Sequence, residues 1–198
     1  YFVFACHPTW ETEVSSDEVD GRIMVEKKHK TEKEMLTSFA EWFYKADFDV
    51  ITGWNSAGYD MSVLYHRMES LRVPHCMNGV HFENGLMPRE VFGGGAMSPY
   101  GIMDEPFHKG GREYLWQQQP LRGVDHLDMM VAFKRLYKDS TNNELVSSRL
   151  GRVAQFLELR DGKLESPDFY SKDYHIGWEE FRNYNIRDVE LLVQIDDA

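Results

Sequence analysis

Three groups of carboxylates sit where the surrounding pattern calls for apolar side chains. Near the C-terminus, Phe181, Tyr184, Asp188, Leu191, Leu192 and Ile195 recur at three- and four-residue steps, one face of a helix. A carboxylate inside that stripe loses hydration, which is costly unless a cation or hydrogen bonds compensate. Tyr184 lies one turn before Asp188, so its hydroxyl reaches whatever Asp188 holds. The plain alternative is that Asp188 sits at the stripe's edge in an ion pair with an arginine. The second group is Gly53-Trp54-Asn55-Ser56-Ala57-Gly58-Tyr59-Asp60, where a buried strand ends, two glycines permit a tight turn and Asp60 opens a helix. An acid there is ordinarily a cap that suits the helix dipole. The third is Asp125-His126-Leu127-Asp128 at a strand end, with Asp125 read as the exposed one.

Together these acids point to carboxylates converging at one end of a sheet. Mg²⁺ and Mn²⁺ take oxygen ligands of this kind and complete their shells with water and substrate phosphate. Other chemistries are not supported. There is no G-x-x-x-x-G-K-[ST] loop and no G-x-S-x-G elbow, and Gly93-Gly94-Gly95 neither follows a strand nor opens a helix. Cys6 and Cys76 form no C-x-x-C pair, and no H-E-x-x-H occurs, so neither a disulfide framework nor a zinc site is expected.

The elements that must position these acids alternate between strand and helix. Residues 1–6 read as a buried strand and 9–21 as a polar, solvated loop. Thr31 and Glu34 form a capping box ahead of Met35, Leu36, Phe39, Trp42 and Phe43 at helical spacing. Val50-Ile51-Thr52 is a short strand. A helix follows from Asp60, with Met61, Leu64, Tyr65, Met68 and Leu71 on one face. A strand at about 122–128 leads to helices at about 129–138, 144–157 and from Trp178 to the end. The 144–157 helix is expected to carry Val146, Leu150, Val153, Ala154 and Leu157 on one stripe. Between them, about 76–121 holds eight of the 15 glycines and no sustained period, which reads either as an insertion with hairpins or as a disordered surface excursion. The pattern predicts one α/β domain with a mixed sheet over 1–198.

Composition narrows the function classes. Of 198 residues, 42% are hydrophobic and 28% charged, a globular balance. The net charge of −11 argues against a free-standing, non-specific nucleic-acid coat but allows an enzyme that gathers acids around metal ions. No run of about 18 apolar residues is present to span a membrane, and two cysteines suit a reducing compartment such as the cytoplasm. The opening Tyr-Phe-Val-Phe-Ala-Cys reads as a strand already under way, as in a fragment of a longer chain.

Two stretches carry a resemblance. Asp49-Val-Ile-Thr-Gly-Trp-Asn-Ser-Ala-Gly-Tyr-Asp60 resembles the second exonuclease motif of B-family DNA polymerases. Tyr184-Asn-Ile-Arg-Asp188-Val-Glu-Leu-Leu resembles the third, in its Tyr-x-x-x-Asp form. Val124-Asp-His-Leu-Asp128 and Gly162-Lys163-Leu164 look like the strand and the link that go with the third motif. The wording is most similar to polymerases of T-even-type tailed phages, over roughly 31–75 and 122–198. The resemblance implies a ribonuclease H-like fold, a mixed sheet flanked by helices, and proofreading 3′→5′ hydrolysis of DNA by a two-metal site with Mg²⁺ or Mn²⁺. It implies Asp60 and Asp188 as metal ligands and Tyr184 as the residue that orients the attacking water. It also implies that Asn55 helps position the motif or the terminal nucleotide and that Tyr59, standing where the family usually has Phe, offers that nucleotide a stacking ring.

The family's first motif, an Asp-x-Glu on the first strand, is not found. Glu11-Thr-Glu13 lacks the Asp and lies in a polar stretch. The expectation is that the first strand is absent from this fragment, which would then be inactive alone. The implied partners are a single-stranded DNA primer 3′ end and the polymerase domain of the same full-length chain, in the host cytoplasm if phage-encoded, with no membrane. A non-catalytic DNA- or protein-binding module of the same fold and a stand-alone exonuclease of this type are the alternatives.

Overall fold

A computed structural model describes residues 1–19, 21–56, 59–73, 124–159 and 177–198. The glycine-rich segment read over 76–121 and the Gly162–Leu164 link lie outside the described residues. What is described is α/β, with small sheets flanked by helices, as the ribonuclease H-like expectation requires.

The first sheet has the order β1-β3-β2, formed by β1 (Phe2–Cys6), β2 (Glu13–Val19) and β3 (Arg22–His29). β1 runs parallel to β3, with Phe2 opposite Val25, and β2 runs antiparallel, with Glu13 opposite Lys28. This corrects the loop expected over 9–21. Glu13-Val-Ser-Ser-Asp-Glu-Val has no apolar alternation because β2 is an edge strand, its described side chains largely exposed, and its order comes from the backbone ladder.

α1 (Glu32–Ala46) begins as its sequence demands. Thr31 Oγ1 accepts from the Glu34 N–H, and the Glu34 carboxylate accepts from the Thr31 N–H. Leu36, Ala40 and Phe43 form its buried stripe, and Asp47 ends it in a left-handed conformation at φ 51°. β4 (Val50–Gly53) leads into α2 (Asp60–Ser70), whose Met61 and Met68 pack with Leu36, Ala40, Phe43, Val73 and Val124.

β5 (Asp125–Asp128) pairs parallel with β4, Ile51 opposite His126 and Gly53 opposite Asp128. α3 (Met129–Thr141) follows directly, then α4 (Leu150–Phe156) and α5 (Trp178–Asp196). A second core joins Met129, Leu150, Val153, Ala154, Leu191 and Ile195. α4 is shorter than the helix expected from 144: Val146 is 99% exposed and outside any buried stripe, and the helix begins at Leu150.

Two buried or half-buried carboxylates fasten α5 to the first sheet. Glu26 on β3 accepts from Trp178 Nε1 at 2.6 Å and from Arg182 at 2.9 Å, and lies 3.4 Å from Lys28 Nζ. Glu190 accepts from the Tyr1 hydroxyl at 2.6 Å and pairs with Arg22 and Arg187 at 3.1 Å.

Candidate functional site

The parallel pairing of β4 with β5 brings their C-terminal ends together, and the chain turns there in a way that few sequences allow. A Cβ at Gly53 would stand 2.7 Å from the Ser56 Cβ, so the turn requires glycine. Asn55 is held at φ 59°, a region that asparagine tolerates better than most residues. Its N–H donates to Asp128 Oδ1 at 3.1 Å, and the same oxygen accepts from the Met130 N–H. Asp128 therefore caps α3 and ties the β4–α2 turn to β5. Tyr59 and Met61 N–H groups donate to the Asn55 and Ser56 carbonyls at 3.0 and 2.9 Å, so the turn winds into the first turn of α2. Asp60 is the first residue of that helix.

A cleft of about 1050 Å³ opens over this turn. Gly53, Asn55, Ser56 and Asp60 form one side, His126 contributes from β5, and Asn185 and Asp188 reach in from α5. The Trp54 indole donates to the Ser148 carbonyl at 2.9 Å. That bond fixes the segment ahead of α4; Arg149, at its end, and Arg152, within α4, also line the cleft.

The electrostatics of the two sides differ. Loss of water around the Asp60 carboxyl raises its pKa, its own backbone N–H opposes this, and the negative charge of Asp128 raises it further. Burial lowers the His126 pKa against the pull of Asp128, which favours the neutral ring, and Nε2 shares a 2.9 Å hydrogen bond with the Ser56 hydroxyl. Asp188 is half-buried, with Oδ1 shielded from solvent.

Of the residues expected from sequence, Asn55, Asp60 and Asp188 line this one cleft. Tyr184 is half-buried one turn before Asp188 and does not line it, and Tyr59 is 62% exposed outside it. Asp125 is exposed, as expected, and Asp128 is the buried member of its pair. Reading by sequence missed Arg149, Arg152, Ser56 and His126. No local signal marks the arginines; the Ser56–His126 pairing exists only through the β4–β5 register.

Asp60 and Asp188 supply hard oxygen donors, and the Asp60 pKa is raised chiefly by loss of hydration and, less, by the charge of Asp128. Among the described residues no group of three or more His, Cys, Asp or Glu is gathered to enclose a metal ion. The donor set thus fits an open site completed by water and substrate oxygens rather than a closed cage.

Comparison with known proteins identifies the family. The chain is 26% identical over 184 residues to the DNA-directed DNA polymerase of Escherichia phage RB69, a match spanning 93% of this chain and 18% of that polymerase. The chain therefore spans less than a fifth of the relative's length. The family model described as "DNA polymerase family B, exonuclease domain" matches residues 10–145, which include Asn55, Asp60 and Asp128. The chain belongs to the exonuclease-domain family of the B-family DNA polymerases.

Proposed function

We propose that this domain removes nucleotides from the 3′ end of DNA by two-metal hydrolysis, as the proofreading part of a DNA polymerase. The observation that carries the reading is that Asp60 and Asp188, from two different helices, line one cleft together with Arg149 and Arg152. A cleft lined by both acids and guanidiniums suits a phosphodiester, whose reacting phosphate wants cations and whose neighbouring phosphates want arginine.

Asp60 and Asp188 would hold the Mg²⁺ or Mn²⁺. When bound, such a pair of ions stabilises the attacking and leaving oxygens of an in-line displacement. The chain's own residues supply the rest. Asn55, locked in its left-handed bend by Asp128, presents its side chain to the terminal nucleotide. Tyr184, one turn from Asp188, is assigned the orientation of the attacking water. The exposed Tyr59 ring offers a stacking face for an unpaired base. Arg149 and Arg152 grip the phosphates upstream.

Two acids leave each ion short of anionic ligands. The 198-residue chain is expected to degrade DNA weakly or not at all, and a longer chain that adds an Asp-x-Glu pair to do so readily. The same shortage is what favours the second reading, a DNA-binding module without catalysis.

A single-stranded oligonucleotide and a Mn²⁺ titration followed by electron paramagnetic resonance separate the two. The enzyme reading expects Mn²⁺ binding that Asp60→Asn and Asp188→Asn each weaken, and chelator-sensitive 3′ shortening in the longer chain that Asp188→Ala abolishes. DNA binding without Mn²⁺ binding establishes the module. Hydrolysis that survives Asp188→Ala overturns the assignment of the site.

A further inference from the structure

The floor of the cleft holds a polar pair that this mechanism does not use. Ser56 is 6% exposed, and its hydroxyl shares a 2.9 Å hydrogen bond with His126 Nε2; both residues line the cleft. The Ser56 side chain occupies the space that Gly53 leaves by having no Cβ, with its Cβ and Oγ 2.7 and 2.9 Å from where that atom would stand. The Ser56 carbonyl accepts from Met61 N–H at 2.9 Å, so a displacement of Ser56 carries the first turn of α2, and Asp60, with it. His126 does not share that mobility. It sits inside β5, opposite Ile51 of β4, and is held by the sheet. β5 therefore reaches the turn twice, through Asp128 onto the Asn55 N–H and through His126 onto the Ser56 side chain.

We infer that Ser56 and His126 form a positioning latch that sets where Asp60 stands in the cleft. Neither residue touches the reacting atoms; His126 acts through Ser56, and Ser56 through the first turn of α2. A buried hydroxyl that loses its partner is left with its desolvation cost, so the bond is worth most where the turn is otherwise strained, as at Asn55. The consequence for cation binding rests on the reading of Asp60 given above; the latch itself rests only on the bonds just described.

The test uses the 198-residue chain, its Ser56→Ala, His126→Phe and double variants, and His126→Gln, whose amide nitrogen reaches the place of Nε2. Native-state hydrogen exchange is read at the Tyr59 and Met61 amides, with α1 amides reporting global unfolding, and Mn²⁺ affinity is read by paramagnetic titration. Exchange at Tyr59 and Met61 is expected to quicken up to about tenfold in either single variant while α1 is unchanged. The double variant should exchange no faster than either single one, and His126→Gln should restore protection. Mn²⁺ affinity should fall about tenfold in the same variants and recover with Gln. Unchanged exchange in Ser56→Ala, or additive effects in the double variant, overturns the latch. Faster exchange with Mn²⁺ affinity unaltered overturns its role in placing Asp60. A parent chain that binds no Mn²⁺ overturns the reading of Asp60 as a metal ligand, while the exchange data still decide the latch.

Discussion

Glu26 and Asp60 are both acids that lose hydration on folding, Glu26 buried and Asp60 still exposed, and their surroundings act on them in opposite ways. Around Glu26, burial raises the pKa, but Arg182, the Trp178 indole and Lys28 outweigh it and hold the carboxyl below its usual range. Around Asp60, loss of hydration raises the pKa and the charge of Asp128 raises it further, against its own backbone N–H. One acid is surrounded by what stabilises its charge, the other by what opposes it. The satisfied charge of Glu26 ties α5 to the first sheet, whereas a raised pKa such as that of Asp60 is the kind of perturbation that clusters at functional sites.

That contrast breaks most easily by removing each acid. Glu26→Ala strands the half-buried Arg182 guanidinium and should cost about 3–5 kcal/mol of stability, read as a lowered denaturation midpoint. Asp60→Asn relieves unfavourable charge, so it should leave stability equal or slightly higher while reducing Mn²⁺ affinity by more than about a hundredfold. Equal destabilisation by both would erase the distinction.

A pH series sharpens it. Because the folded pKa of Glu26 lies below its unfolded value, its contribution is complete above the unfolded carboxylate range and is lost as pH falls through the folded pKa. For Asp60 the folded value is raised, so the native state gains relative to the unfolded one as pH falls into that range. Urea midpoints measured downward from pH 7 should fall less steeply in Glu26→Gln than in the parent, and more steeply in Asp60→Asn.

The cleft's arginines give a smaller effect. Replacing both Arg149 and Arg152 with alanine removes two phosphate contacts and should flatten the salt dependence of single-stranded DNA binding by about 1.4 in log–log slope. An unchanged slope places the DNA elsewhere. Far from both acids, Thr31→Ala should cost only about 1 kcal/mol, the worth of an N-cap, and leave Mn²⁺ affinity untouched.

Legibility in the sequence followed how local each feature is. The capping box at Thr31 and Glu34 is written within four residues, and α1 forms where it predicts. The stripe of α5 is equally local, and Asp188 lies in it. The Gly53–Asp60 octapeptide shows its own turn because Gly53 and Asn55 are needed by that backbone. β2 was invisible because its pattern of Glu, Ser and Asp serves an exposed edge, and its partner lies in the next strand. Val146 misled in the other direction: its spacing fits a helical stripe, but it stands in solvent before α4 begins. Ser56, His126, Arg149 and Arg152 acquire meaning only once β4 pairs with β5 and Trp54 bonds to Ser148.

The order β1-β3-β2 also bears on how the first sheet assembles. β2 and β3 are neighbours along the chain, joined by a turn that includes Gly21 at φ 74°, and such hairpins close within about 1–10 μs. β1 must then lie parallel along the far edge of β3, a non-local pairing that closes later. Its arrival brings the Tyr1 hydroxyl onto Glu190, two residues from Asp188 on α5. The N-terminal strand thus helps seat the helix carrying one of the two cleft acids, so partial unfolding that frees β1 should loosen that side of the cleft.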